Sequence, residues 1–167
     1  MSLEQNILSE LQTEFERRIY DEGFDRIVQC LGYLTEEEVW NRPNEQTVSI
    51  GNLILHLSGN VRQWICAGLG QQADVRQRDL EFSTEGGVAK IALIENIKRT
   101  IIDAQEVVEK VSAEDLAKRY KVQVYEETGL SIIVHVIEHF SYHIGQITYA
   151  VKSLKNIDTQ YYKEDLG

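Results

Sequence analysis

The chain has 167 residues, 43% of them hydrophobic and 26% charged, with a formal net charge of -10 at pH 7. That length buries a substantial core without covalent staples, and the composition argues against disorder. So negative a surface repels phosphate backbones and anionic lipid heads, which argues against nucleic acid and membrane as partners.

No apolar run approaches the ~18 residues of a membrane span. Met1 to Leu11 lacks the basic, apolar and small-residue order of a signal peptide. The expectation is one cytoplasmic domain over residues 1–167. A single proline, Pro43, and 11 glycines favour long helices over many short strands. The two cysteines, Cys30 and Cys66, fall in apolar helical stretches without C-x-x-C spacing. They are expected to pack as free, small hydrophobes.

Four long segments carry helical periodicity. The first has Leu8, Leu11, Phe15 and Ile19, then Ile27, Val28, Leu31 and Leu34, mostly three or four apart. Gly23 is placed to kink or weaken it. Thr35-Glu36-Glu37-Glu38 reads as a capping box opening a short turn of helix, which should end before Pro43. Ser49 is the expected N-cap of the second long helix, running to about Ala67 with the stripe Ile50, Leu53, Ile54, Leu57, Val61, Trp64 and Ile65. Gly68 and Gly70 are placed to end it.

A polar connection follows, roughly Gln71 to Gly87. Connections this long tend to be functional or to pack as ordered crossovers, and in a bundle a long crossover joins parallel neighbours. Its cluster Arg76, Arg78, Asp79 and Glu81 reads first as solvated surface and second as a substrate contact. The third long segment alternates steps of three and four through Ile94, Ile97, Ile101, Ala104, Val108 and Val111. Ser112 to Asp115 offers another capping box. Tyr120, Val122 and Val124 alternate with polar residues, an extended piece expected to be too short for a sheet. The fourth long helix should run from about Leu130 to Leu154. The fold class expected is all-α.

Three of the four histidines, His135, His139 and His143, follow one another at one-turn spacing on this last helix. Any adjacent pair can grip one metal ion from the same side. At ~100° per residue, Ile132, Val136, Phe140, Ile147 and Leu154 form the apolar stripe. His139 and His143 border it, with Gln146 one turn further along the seam. His135 lies toward the polar side and suits a supporting or surface role. His56 sits at the edge of the second helix's stripe. A bundle that joins these two helices can present three imidazoles to one point, leaving a position open as in catalytic zinc sites. Spacing alone keeps two other readings open. The histidines can be hydrogen-bonded core residues, or His135-Val-Ile-Glu138-His139 can be the H-x-x-E-H zinc-protease pattern with Glu138 as general base.

The stretches Ser49-Ile-Gly-Asn-Leu-Ile-Leu-His56-Leu-Ser-Gly-Asn60 and His135-Val-Ile-Glu-His139-Phe-Ser-Tyr-His143-Ile-Gly-Gln146-Ile resemble the DinB-like (YfiT-like) superfamily of metal-dependent bacterial proteins. The order and spacing of the helices extend the resemblance over nearly the whole chain. It implies a four-helix bundle, up-down-down-up with a long crossover between helices 2 and 3, often a homodimer. It implies a divalent metal ion, zinc or nickel, on His56, His139 and His143. His135 and Gln146 are then candidates to support the ligands or touch substrate. The function expected is small-molecule chemistry, by a thiol-dependent transferase using a low-molecular-weight thiol or by a metal-dependent hydrolase. The alternative is a non-catalytic binding or stress-response module whose metal is structural or vestigial. Many relatives carry arginine directly after the last histidine; here that residue is Ile144, so any role of that arginine does not carry over.

Overall fold

A computed structural model describes residues 2–162; the ends of the expected 1–167 domain lie outside the described residues. Helix α1 (Leu3–Glu16) opens at Ser2, whose hydroxyl accepts from the Gln5 backbone while the Gln5 side chain accepts from the Ser2 amide. The rod continues through a π-helical stretch, Arg17–Phe24, into α2 (Asp25–Gly32). Gly23 lies inside that stretch, and the helix does not break there. The glycine instead permits a close approach, since a Cβ on it would stand 2.6 Å from the Phe140 ring and 2.8 Å from the Arg18 carbonyl oxygen.

The capping boxes expected at Thr35 and Ser112 are present, opening α3 (Glu36–Trp40) and, later, α7 (Ala113–Ala117). Ser49 caps α4 (Ile50–Val61), with Asn52 as the reciprocal partner. A second π-helical stretch, Arg62–Leu69, prolongs this rod past Gly68, and it stops at Gly70. The polar connection contains a short helix, α5 (Arg78–Ser83), before α6 (Lys90–Glu109). Helix α8 (Gly129–Lys155) starts at Thr128 and ends where Asn156 turns left-handed, with φ 51°.

One expectation is corrected. The extended piece near Tyr120 does form a sheet, an antiparallel hairpin of β1 (Arg119–Val122) and β2 (Tyr125–Thr128) with Val122 opposite Tyr125. Its two-residue turn succeeds because Gln123 takes φ 55°, the left-handed geometry that tight hairpins need. Tyr120 and Val122 face the core, and Val122 seats against Gly68. The molecule remains predominantly helical.

The rods are joined at identifiable points. The Gln12 amide donates to the Val108 carbonyl at 2.9 Å, and Lys90 reaches the carbonyls of Leu31 and Leu34. Arg62 meets Asp103 at 2.8 Å, and Gly70 lies against Val107. Trp64 and His135 lie with ring centroids 4.1 Å apart. The buried apolar side chains form one connected cluster that includes both free cysteines, as expected. Helix α8 is covered on a wider face than its sequence stripe indicates. Ile133, Ile144 and Val151 are buried, whereas Leu154, counted in the stripe, is exposed. The reason is that the α1–α2 rod, the α4 rod, α7 and β2 all pack on it, so no single stripe describes its buried side.

Replacing Gly23 by alanine tests the close approach. Helix propensity alone favours alanine by about 1 kcal/mol, but overpacking against Phe140 and a backbone oxygen costs about 1–3 kcal/mol. Urea denaturation should show Gly23→Ala to be destabilised, and Gly23→Ala with Phe140→Leu to recover part of the loss.

Candidate metal centre

His56 comes from the middle of α4 and is 7% exposed. His139 and His143 come from successive turns of α8 and are half-buried. The fold brings these three together, with one ligating nitrogen from each within 4.8 Å of the others. The Nε2 atoms of His56 and His139 lie 3.2 Å apart. Two nitrogens on one tetrahedral zinc, each at 2.0–2.1 Å, stand about 3.3 Å apart, so the donor spacing fits a shared ion.

The far side of two rings is already spoken for. His56 Nδ1 lies 2.9 Å from Glu81 Oε2, and His143 Nδ1 lies 2.6 Å from Gln146 Oε1. A ring that donates Nδ1–H to a carboxylate or amide oxygen keeps its lone pair on Nε2, the arrangement found behind metal-binding histidines. Burial pushes His139 down to about 3, helped by His143, His56, His135 and Arg76. Burial also lowers His143, with the Gln146 bond opposing it. Both rings are therefore neutral at pH 7, the form that binds a metal.

Glu81 corrects the surface reading of the polar connection. Its side chain is 9% exposed, and that of its partner Arg76 is 5% exposed. Arg76 donates Nε–H to Oε1 at 2.7 Å and Nη2–H to Oε2 at 2.8 Å. Its Nη1–H goes to Gln63, whose amide in turn donates to Asp74. Burial would raise the Glu81 carboxyl, but Arg76 and His56 outweigh it and hold it below the usual carboxylate range. Arg78 and Asp79 do remain exposed, so the surface reading holds for that half of the cluster.

The backbone is built to admit this carboxylate. Asn52 is fully buried, and its amide donates to the carbonyls of Glu81 and Thr84 at 2.9 and 2.7 Å, tying α5 to the start of α4. Gly59 leaves the space that Glu81 fills, since a Cβ there would overlap its carboxylate.

Of the other residues singled out in the sequence, Gln146 bonds to His143, while His135 stands outside the group. The His135 ring stacks near Trp64 and lies 5.5 Å, centroid to centroid, from His139. Glu138 is exposed, and nothing in the grouping favours the H-x-x-E-H pattern. Sequence reasoning missed Glu81 and Arg76 as partners of His56. Their alternation with polar neighbours gave no burial signal, and the one available cue was an opposite-charge pair beside an aromatic, Phe82.

The family described as "Protein of unknown function (DUF1572)" matches residues 3–163. The chain belongs to this DinB-like family. In structure it is similar to a DinB-like protein (YjoA) from Bacillus subtilis, with a TM-score of 0.65 and 13% identity over 89% of this chain and 94% of that one. It is also similar to a conserved protein from Enterococcus faecalis, with a TM-score of 0.70 and 16% identity over 94% of this chain and 99% of that one. At these identities the likeness is one of fold. No curated protein matches the chain.

The burial of His139 has a consequence for stability. Because the folded His139 holds its proton only near pH 3, the unfolded chain binds more protons between about 6.5 and 3. Stability of the metal-free protein should therefore fall as pH drops through that window. Denaturation across pH should show the decline, and His139→Leu should flatten it above the carboxylate range.

Proposed function

We propose that this DinB-like protein holds a divalent metal ion, zinc or nickel, on His56, His139 and His143, with a position left for a small-molecule substrate. The observation that carries the reading is the convergence of three imidazoles, two of them neutral by burial and two with Nδ1 already bonded. When bound, the ion would act as a Lewis acid that lowers the pKa of a water or thiol entering its open position. The chain's own residues supply orientation. Glu81 accepts the Nδ1–H of His56, Arg76 keeps Glu81 ionised, and Gln146 accepts the Nδ1–H of His143. Glu81 has both oxygens engaged, so its part is positioning rather than proton transfer.

This arrangement suits a thiol-dependent transferase acting with a low-molecular-weight thiol, or a metal-dependent hydrolase. A structural metal in a non-catalytic module would call for a closed, four-ligand site. Among the described residues the metal-capable group holds the three histidines and no fourth ligand, which favours the open site.

We read the four rods as an up-down-down-up bundle with the 71–87 segment as the crossover. Gln12 with Val108 and Lys90 with Leu31 support an antiparallel first and third rod. Arg62 with Asp103 and Gly70 with Val107 support a parallel second and third. Trp64 with His135 and His56 with His143 support an antiparallel second and fourth. The exposed Val134, Tyr142 and Tyr149 on α8 support a homodimer formed through that helix.

Elemental analysis with metal titration tests the centre. Wild type should bind one ion per chain, and alanine at His56, His139 or His143 should abolish tight binding, whereas His135→Ala should retain it. A protein that takes up no zinc or nickel, or one indifferent to all three substitutions, would sink the reading. Glu81→Gln and Gly59→Ala should each weaken binding by about 10–100-fold, the usual loss when a ligand's hydrogen-bond partner is removed. Unchanged affinity in both would remove Glu81 from the account.

A further inference from the structure

Gly145 sits near the middle of α8 and is exposed. A glycine inside a helix is destabilising relative to alanine, and elsewhere in the rods the fold gives it a use. A Cβ on Gly23, Gly51, Gly59 or Gly68 would strike a neighbouring side chain. A Cβ on Gly145 would meet nothing within 4 Å. Gly32, equally open, closes α2, and a helix end tolerates glycine. Gly145 thus keeps helix backbone bare without serving any contact among the described residues, and bare backbone permits close approach by another chain. It lines an open groove of about 660 Å³ together with Arg26, Ser141, Ile144 and Tyr149.

The residues around Gly145 say what approaches. At ~100° per residue, Val134, Glu138, Tyr142, Gly145, Tyr149 and Lys152 fall within an arc of about 80° on one face of α8. All six are exposed, Tyr142 by 59% and Tyr149 by 77%, and tyrosine is enriched at protein interfaces. Glu138 and Lys152 stand equally far from Gly145 on opposite sides. Neither makes an ion pair among the described residues. A face whose two ends carry opposite charges complements itself when reversed. Two antiparallel copies crossing at Gly145 set Glu138 beside the partner's Lys152 at both ends, and Tyr142 beside the partner's Tyr149. A parallel pair would instead set Glu138 against the partner's Glu138. Two chains of net charge -10 repel at long range, so the arrangement in which opposite charges meet is the favoured one.

We propose that α8 packs against α8 of a second copy of this chain, antiparallel and crossing at Gly145. The contact is isologous, each copy offering the same patch to the other. Gly145 lets the helices come close, and the groove beside Ser141 takes the partner's Tyr149. The charged pairs at the two ends are exposed, so they fix the register more than the strength. The proposal rests on the homodimer reading above, to which it gives a direction and a register; it does not need the metal.

The test is sedimentation equilibrium of the chelator-treated full chain, with circular dichroism to check the fold. Wild type should sediment as a dimer. Gly145→Leu improves helix propensity and meets no neighbour at its Cβ, so helicity should hold while the dimer dissociation constant rises about tenfold or more, as blocking the close approach requires. Glu138→Lys places like charges together at both ends and should weaken the dimer by about tenfold. Adding Lys152→Glu to it should restore wild-type association, because the two reversed charges again complement each other. Tyr142 is left unchanged, since its hydroxyl accepts from the Gln146 amide behind His143. Glu138 and Lys152 are exposed, so the charge series reports even if Gly145→Leu misfolds. A monomeric wild type at hundreds of micromolar would overturn both the homodimer and this register, leaving the face to a different protein. A dimer indifferent to Gly145→Leu, or one weakened by Glu138→Lys and not restored by the double reversal, would overturn the register alone.

Discussion

The arrangement around the triad depends on one buried cluster, the carboxylate of Glu81 against both the His56 ring and the Arg76 guanidinium, whose Nη2 also lies 3.1 Å from His56 Nδ1. Placing two opposite charges where their side chains are 5% and 9% exposed costs several kcal/mol of desolvation per ion. The bidentate Arg76 contact offsets much of that cost, but an apolar pair of similar size would fill the space at least as well. Stability therefore does not explain the pair. Orientation does: the carboxylate fixes which nitrogen of His56 holds the proton, and so which nitrogen faces the other two rings. Several remote features then follow from it. Asn52 ties α5 in place from the capping box of α4, Gly59 vacates the space, and Gln63 with Asp74 holds the far end of Arg76.

The 71–87 segment is thus part of what builds the site. A direct turn between the α4 rod and α6 would leave His56 without its partner. The length of the 71–87 segment is what lets α5 fold back against α4. The hairpin β1–β2 has a similar place at the other end. It seats Val122 on Gly68 and brings Tyr125 and Glu127 to the rim of the cavity next to the histidines.

Much of this was legible in the sequence, for reasons that differ by element. The capping boxes at Thr35, Ser49 and Ser112 are local chemistry and appear where the residues predicted them. The α4 stripe from Ile50 to Ile65 is buried throughout because helical periodicity reports a single packed face well. His56, His139 and His143 were separable from His135 only through family resemblance, since their spacing does not distinguish them. What stayed hidden was tertiary. Glu81 and Arg76 sit in a polar segment whose pattern resembles any solvated loop. The hairpin turned on Gln123 accepting φ 55°, which no glycine or asparagine announced. The exposure of Leu154 and burial of Ile144 arise because α8 has neighbours on several sides, and a fixed 100° step cannot show how many.

The same burial that neutralises the rings sets the charge balance of the centre. Arg76 cancels Glu81, and His139 and His143, neutral by burial, contribute no charge, so on the proposed reading a divalent ion would keep most of its positive charge. The whole chain carries a net charge of -10, which draws cations toward the protein and repels anions from most of its surface. An anionic ligand would therefore approach against the global field and, on the proposed reading, meet that ion only at short range. Screening over about 8–10 Å at ordinary salt confines each effect to its own distance. The exterior thus disfavours large polyanions, which meet it first.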